Sequence, residues 1–259
     1  MAKQTFKQDS NELMKAIKSG KEHKIPKLLD NNNINTRTKE GTPLTLALER
    51  KMFGVAKKFI SKGADVMALD DKGRNALMLS ILKENQELFE QIMLQKNQFD
   101  HKDSFGSTAL MYACLKKNAY FVERIIAQKV ELNCVNIEGN TALIIASICN
   151  SYDCVKLLLR EKINVNEKNK LGKNALMYSA GNGNLRIFEL LLNHGAKVYE
   201  KDHEQNNVLE IAIINGCENI IERLLKKGIN EVKESIISNA PLHQKHKIRK
   251  IFEKYKIIL

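Results

Sequence analysis

Apolar positions recur with a fixed period of 33 residues along most of this chain. Each repeat leucine is followed three positions later by Ala or Ser, so both residues lie on one face of a helix. The repeat leucines are Leu44, Leu77, Leu110, Leu143, Leu176 and Leu209. A period of this length predicts one supersecondary unit copied along the chain. Each copy buries its apolar face only by packing against its neighbours.

A single copy, the fourth, shows what the unit builds. Gly139 is suited to the tip of a hairpin, because glycine adopts positive φ at little cost. Thr141 is placed to cap a helix whose buried face carries Leu143 and Ala146. Apolar residues return over 154–159 and indicate a second helix. Each unit is therefore predicted to be hairpin, helix, turn, helix.

This pattern resembles the ankyrin repeat family over about residues 9–259. The sequences that carry the resemblance include Gly41-Thr42-Pro43-Leu44, Gly106-Ser107-Thr108-Ala109-Leu110 and Lys62-Gly63-Ala64-Asp65-Val66. The resemblance implies an all-α repeat solenoid, an ankyrin-like stack of hairpin-helix-turn-helix units with helical caps at both ends. It also implies that partners dock on a concave face made of hairpin tips and the exposed ends of the first helices.

The predicted organisation is a single domain without an internal boundary. Residues 1–8 are predicted to be a disordered N-terminus, 9–35 an N-terminal capping repeat, and 231–259 C-terminal capping helices. Six repeats fill the interval from 36 to 230. They cover about 36–67, 68–100, 101–133, 134–166, 167–199 and 200–230.

Some expected glycines are missing from the repeats. Glycine ends the second helix at Gly63, Gly195 and Gly228, but the equivalent positions of the middle repeats hold Lys96, Lys129 and Lys162. A non-glycine residue in a left-handed cap costs about 1 kcal/mol, so these repeats are expected to be less stable locally. Gln205 replaces the tip glycine of the sixth repeat.

Charge and cysteine content narrow the cellular setting. The net charge is +12, of which residues 1–35 carry +3 and residues 231–259 carry +4. These lysines either lie on solvated faces and end caps or attract acidic partners, nucleic acid included. Five cysteines without a CxxC pair indicate reduced thiols of a cytoplasmic protein. The first residues lack the apolar core of a secretory signal, and non-classical export into another cell is the alternative.

No residue pattern points to catalysis, a cofactor or a metal. His243 and His246 stand three apart on a predicted helix, but a metal site needs three or four ligands and no further Cys or acid is placed to help. We expect no catalytic residues and no enzyme activity. A titratable cluster assembled only by folding is the alternative that the sequence leaves open.

The predicted binding surface combines apolar and basic positions. Five residues after the repeat leucine, where a solvated position should be polar, stand Leu82, Leu115, Ile148 and Ile214. The next position holds Arg50, Lys83, Lys116 and Cys149. At or beside the hairpin tips stand the apolar residues Phe105, Ile137 and Leu171 and the basic residues Lys39, Lys72, Arg74, Lys170 and Lys173. Met78, Met111 and Met177 either extend this surface or pack between neighbouring helices, and the apolar tip residues are either exposed or covered by adjacent hairpins.

These features favour a monomeric protein-interaction module, an adaptor, scaffold or inhibitor. The expected partner is a peptide or helix with apolar anchors and acidic flanks. The alternative is an electrostatic binder of nucleic acid or an anionic membrane that uses the basic ends, such as residues 245–250. Missing aromatic residues in that run argue against single-strand recognition.

Overall fold

The fold is entirely helical in the part of the chain that the structure describes. The computed structural model describes residues 11–29, 33–95, 98–233 and 236–257. These residues form fifteen α-helices, two short 3-10 helices and no strand, with one isolated antiparallel bridge between Thr38 and Gly41. The predicted all-α repeat fold is therefore confirmed, and the predicted hairpins are tight turns.

The chain forms two compact units. The first comprises Met1–Lys116 with Ala127–Val130, and the second comprises Lys117–Ile126 with Glu131–Leu259. Helices of the first unit are α1 (11–18), α2 (Ile25–Leu28), α3 (Pro43–Glu49), α4 (Phe53–Ser61), α5 (Ala76–Leu82), α6 (Gln86–Met93) and α7 (Ala109–Leu115). Those of the second unit are α8 (Ala119–Ile126), α9 (Ala142–Ile148), α10 (Tyr152–Leu159), α11 (Ala175–Gly181), α12 (Leu185–Asn193), α13 (Val208–Ile214), α14 (Glu218–Lys226) and α15 (Lys245–Lys254). The single domain without an internal boundary that the sequence predicts stays a prediction.

Every first helix of a repeat begins at a side-chain cap. Thr141, the predicted cap of α9, accepts a hydrogen bond from the backbone N–H of Ile144 at 3.2 Å. The equivalent residues of the other repeats do the same, so one backbone donor that the helix itself leaves unpaired is satisfied at each start. The six caps are Thr42, Asn75, Thr108, Thr141, Asn174 and Asn207.

Left-handed residues also recur in every repeat, at the turn between the two helices. They lie seven positions after the repeat leucine and have φ between +55° and +68°. The six residues are Lys51, Glu84, Lys117, Asn150, Gly183 and Gly216. Only the last two are glycine, so the turn is imposed by helix packing in the first four repeats, against the local preference of Lys and Glu.

The periodic apolar positions form the core. All six repeat leucines are at most 3% exposed, and the small residue three positions later is fully buried in each repeat. Met78, Met111 and Met177 are buried as well. The methionines therefore pack between helices and do not extend the predicted binding surface.

Both predicted caps contain the expected helices. Leu13 and Ile17 of α1 are fully buried, as is Ile248 of α15, and Phe252 is 1% exposed. Lys129 adopts the expected left-handed conformation with φ +57°, whereas Lys162 does not. Gln205 takes the tip glycine's conformation with φ +63°. The predictions for residues 1–8 and for Lys96 lie outside the described residues.

Candidate functional site

The tips that precede the first helices of repeats two to six are each built around one Asp or Asn side chain. In the third repeat, Asp103 Oδ1 accepts the backbone N–H groups of Phe105 at 2.9 Å and Ser107 at 2.8 Å. These bonds fold the tip back on itself and fix the backbone on both sides of Gly106. The equivalent residues are Asp70, Asp103, Asn136, Asn169 and Asp202, spaced by 33 residues. The 33-residue spacing of these Asp and Asn residues is visible in the sequence. It could have predicted how the tips fold, but it was not used for that prediction.

The three apolar tip residues are exposed. Phe105 in the first unit is 49% exposed, and Ile137 and Leu171 in the second unit are 53% and 59% exposed. In the second unit the tips of Ile137 and Leu171 are neighbours, since the N–H of Lys170 donates to the carbonyl of Glu138 at 2.9 Å. Adjacent tips therefore do not cover these side chains.

The position five residues after the repeat leucine is partly open to solvent. Leu115, the last residue of α7, is 50% exposed, and Ile148, the last residue of α9, is 39% exposed. Leu82 in the first unit and Ile214 in the second are half-buried. The aliphatic positions predicted from the sequence thus lie at helix ends with part of their surface free for contact.

Basic residues of the predicted surface divide into two groups. The first group has carboxylate partners within the protein. Lys83 Nζ lies 3.0 Å from Glu49, Lys116 Nζ lies 2.9 Å from Glu84, and Lys173 Nζ lies 3.7 Å from Asp202. These pairs lower the positive charge that the helix ends offer to a partner.

The second group is exposed and carries no carboxylate partner within 4 Å among the described residues. It consists of Lys39, Arg50, Lys72 and Lys170. Three of these four, Lys39, Lys72 and Lys170, lie at tips. Lys170 directly precedes the exposed Leu171, and the carbonyl of Lys72 accepts the N–H of Ser104, which precedes Phe105.

Arg74 differs from the other predicted site residues because its side chain is only 10% exposed. Its guanidinium lies 2.6 Å from Asp70 and 3.4 Å from Glu49. A buried arginine that holds two carboxylates supports the fold of the tip, so Arg74 does not belong to an exposed basic rim.

A tyrosine supports the tip of the third repeat. Tyr112 on α7 donates a short hydrogen bond to Asp103, the residue around which the tip folds. Burial and, next, this hydrogen bond raise the pKa of Tyr112 well above its ordinary value. In the second unit Tyr178 occupies the equivalent position and accepts a hydrogen bond from Asn169 Nδ2 at 2.8 Å.

Reactive chemistry has little support in the described residues. All five cysteines are free thiols, and burial raises the pKa of Cys149, which makes it a poorer nucleophile. No group of three or more His, Cys, Asp or Glu side chains placed to hold a metal ion occurs in the described part of the chain. None of the described helices is long and apolar enough to cross a membrane.

The basic C-terminal helix is partly neutralised. Lys247 lies 3.3 Å from Glu218 and Lys254 lies 3.0 Å from Glu222, whereas Arg249 and Lys250 are exposed. Binding of nucleic acid or an anionic membrane by this helix stays a prediction. The prediction requires that the protein shifts the gel mobility of nucleic acid, or binds anionic vesicles, at about 50 mM salt. This binding should weaken steeply as salt is raised.

The comparison with protein-family models agrees with this geometry. A model for ankyrin repeats (3 copies) matches residues 13–100, 77–169 and 161–234. A search of curated proteins gave no match. The chain belongs to the ankyrin repeat family, whose members generally act as protein-protein interaction modules and are typically not enzymes.

Proposed function

We propose that this chain is a non-enzymatic interaction module, an adaptor, scaffold or inhibitor, that binds a peptide or helix on its predicted concave face. The observation that carries the proposal is the exposure of Leu115 and Ile148 at the ends of first helices. Apolar surface in water is unfavourable, and a partner that covers these side chains removes it. The exposed tip residues Phe105, Ile137 and Leu171 add to the same type of surface.

The partner is proposed to carry acidic flanks. Lys39, Lys72 and Lys170 are exposed at tips and have no carboxylate neighbour in the described chain. Carboxylates of a partner would supply the missing countercharge. Such pairs at the rim chiefly raise the association rate and are weakened by salt.

The experiment that tests the proposal compares two sets of Asp substitutions in affinity capture with mass-spectrometric identification. The first is Leu115→Asp/Ile148→Asp. The matched control is Leu94→Asp/Leu242→Asp, which changes leucines that are 83% and 85% exposed and lie away from the first helices. We expect at least one partner protein to be captured by wild type and by the control variant and to be lost by the first variant. Retention by a helical first variant contradicts the proposed surface.

A purified partner then allows the charge component to be measured. Changing Lys39, Lys72 and Lys170 together to Gln should slow association and reduce its salt dependence, with little change in dissociation. The proposal also includes a monomeric, cytoplasmic protein. Light scattering of the purified chain tests the first property, and fractionation of source cells tests the second.

A further inference from the structure

The second unit carries one glycine that its backbone does not require. Gly181 is the last residue of α11, and its φ lies outside the left-handed range. A Cβ at this position would make its nearest contacts at 3.4 Å, with Ile211 Cγ2 and Asn215 Nδ2, and its three nearest contacts are all side-chain atoms. Glycine in a helix is less favourable than alanine by up to about 1 kcal/mol. Neither the turn nor the packing therefore explains the glycine.

The absence of a side chain at Gly181 leaves a notch between two aliphatic residues. Gly181 stands at the position that holds Ile148 in α9 and Ile214 in α13, the helices on either side of α11. Ile148 is 39% exposed and Ile214 is half-buried, and the side chain of Ile211 approaches from below. The notch is therefore open to solvent and is bordered by aliphatic side chains and, on one side, by the side-chain amide of Asn215.

The three first helices around the notch carry no exposed charged side chain. Helices α9 and α11 contain no Asp, Glu, Lys, Arg or His, and the single such residue of α13, Glu210, is 2% exposed. Glu210 accepts the backbone N–H groups of Asn207 at 2.8 Å and Lys233 at 2.9 Å. An uncharged apolar surface excludes a charged occupant, because the charge would lose water without gaining a partner.

Two asparagines beside the notch offer hydrogen-bond acceptors. Asn182 Nδ2 donates to the carbonyl of Ser147 at 3.0 Å, and Asn215 Nδ2 donates to the carbonyl of Ile211 at 2.8 Å. Each amide nitrogen thus makes at least one hydrogen bond within the chain, and the side-chain oxygens have no partner among the described residues. A polypeptide segment meets both demands, since it presents backbone N–H groups beside an apolar side chain.

We infer that the notch at Gly181 receives one bulky, uncharged side chain of the protein partner, of the Leu, Met or Phe type. The inference rests on the proposed function and assigns its apolar anchor to one place. Ile148 and Ile214 form the walls, and Asn182 and Asn215 accept N–H groups of the flanking partner backbone. Filling the notch from within the chain should weaken partner binding roughly tenfold or more, as loss of one buried aliphatic side chain does.

The test uses small probes that resemble single residues of a partner. N-acetyl-leucinamide and N-acetyl-phenylalaninamide are titrated to millimolar concentrations, with N-acetyl-glycinamide as the probe that lacks a side chain. Isoleucine methyl NMR reports on Ile148, Ile211 and Ile214. We expect saturable shifts of these methyl signals with the two apolar probes and none with the glycine analogue.

Two leucine substitutions give the matched variants. Gly181→Leu fills the notch, whereas Gly54→Leu adds the same side chain to a helical glycine of α4 whose Cβ would face open space. Shifts that persist in Gly54→Leu and vanish in Gly181→Leu support the inference. Absence of shifts in wild type, or equal shifts in Gly181→Leu, overturns it. If Gly181→Leu lowers helicity, Gly181→Ala replaces it, with weaker probe binding expected and equal binding overturning the inference.

The same variants separate this inference from the function on which it depends. A partner captured equally by wild type and Gly181→Leu removes the notch and leaves the interaction module in place. Retention of the partner by a helical Leu115→Asp/Ile148→Asp variant contradicts the proposed surface, whatever the probes show.

Discussion

Two glycines only two residues apart are expected to respond to alanine in opposite directions. Gly181 ends α11 in a helical conformation, and Gly183 forms the left-handed turn that follows, with φ +67°. Alanine is favoured over glycine in a helix but is strained in the left-handed region. The pair therefore tests whether backbone conformation, and not crowding alone, decides where this repeat needs glycine.

The magnitudes follow from the two environments. At Gly183 the left-handed conformation costs alanine about 1–2 kcal/mol, offset by about 0.4–1 kcal/mol from a less flexible unfolded chain. A Cβ there would also lie 3.2 Å from Cys217 Sγ, which must move slightly. We expect Gly183→Ala to lower the free energy of unfolding by about 1 kcal/mol. Gly181→Ala should raise it by about 0.5 kcal/mol, because the helix end realises only part of the propensity difference.

Urea unfolding followed by circular dichroism at 222 nm measures both changes. With a slope near 2 kcal/mol per molar urea, 1 kcal/mol moves the midpoint by about 0.5 M. Gly183→Asn is the control, because Asn tolerates left-handed φ and the preceding repeat places Asn150 there with φ +59°. A Gly183→Ala variant as stable as wild type, or less affected than Gly183→Asn, would refute the reasoning.

Three further predictions concern a cap, a tip and an ion pair. Thr141→Ala should lower the free energy of unfolding by about 1 kcal/mol, measured by urea unfolding, because it removes the side-chain cap of α9. Thr141→Ser keeps a hydroxyl that can cap the helix and should retain most of the wild-type stability. Tyr112→Phe should cost about 1–2 kcal/mol in the same assay, since it leaves an oxygen of the 7% exposed Asp103 without its donor. The pKa of Tyr112 is raised in the folded protein. The hydrogen bond therefore contributes its full stability below the ordinary tyrosine pKa of about 10, and that stability is lost as pH rises through the folded-state pKa. Absorbance of tyrosinate follows this titration. The bidentate hydrogen bond from Arg223 lowers the pKa of Glu189. The pair therefore stabilises the fold fully above the ordinary glutamate pKa of about 4.3, and this stabilisation is lost as pH falls through the folded-state pKa of Glu189. In Arg223→Gln, carboxyl NMR should show the Glu189 midpoint moving up toward that ordinary value, and an unchanged midpoint contradicts the assignment.

The sequence by itself determined the repeat, its helices and its core. Leucine every 33 residues, a small residue three positions later and a Thr or Asn cap before them are local signals, and each acts through the period of the helix or the hydrogen bonds of one turn. These signals placed Leu143 and Ala146 in the core and Thr141 at the start of α9, as the structure shows. The family followed from the same residues.

Tertiary structure alone decided what each repeat leaves on its surface. The sequence left Met111 either packed between helices or on the binding surface. The fold places it in the core, whereas Leu115, four residues later, is half exposed at the end of its helix. Arg74 reads as one more surface cation in the sequence, but the fold brings Asp70 and Glu49 to it and buries it. In the sequence, Gly181 interrupts the aliphatic residues that recur five positions after the repeat leucine. It forms a notch only because Ile148 and Ile214 lie on the neighbouring helices. Burial of a side chain and the charge beside it depend in large part on residues of neighbouring repeats, as Glu49 beside Arg74 shows, and those contacts form only when the repeats pack.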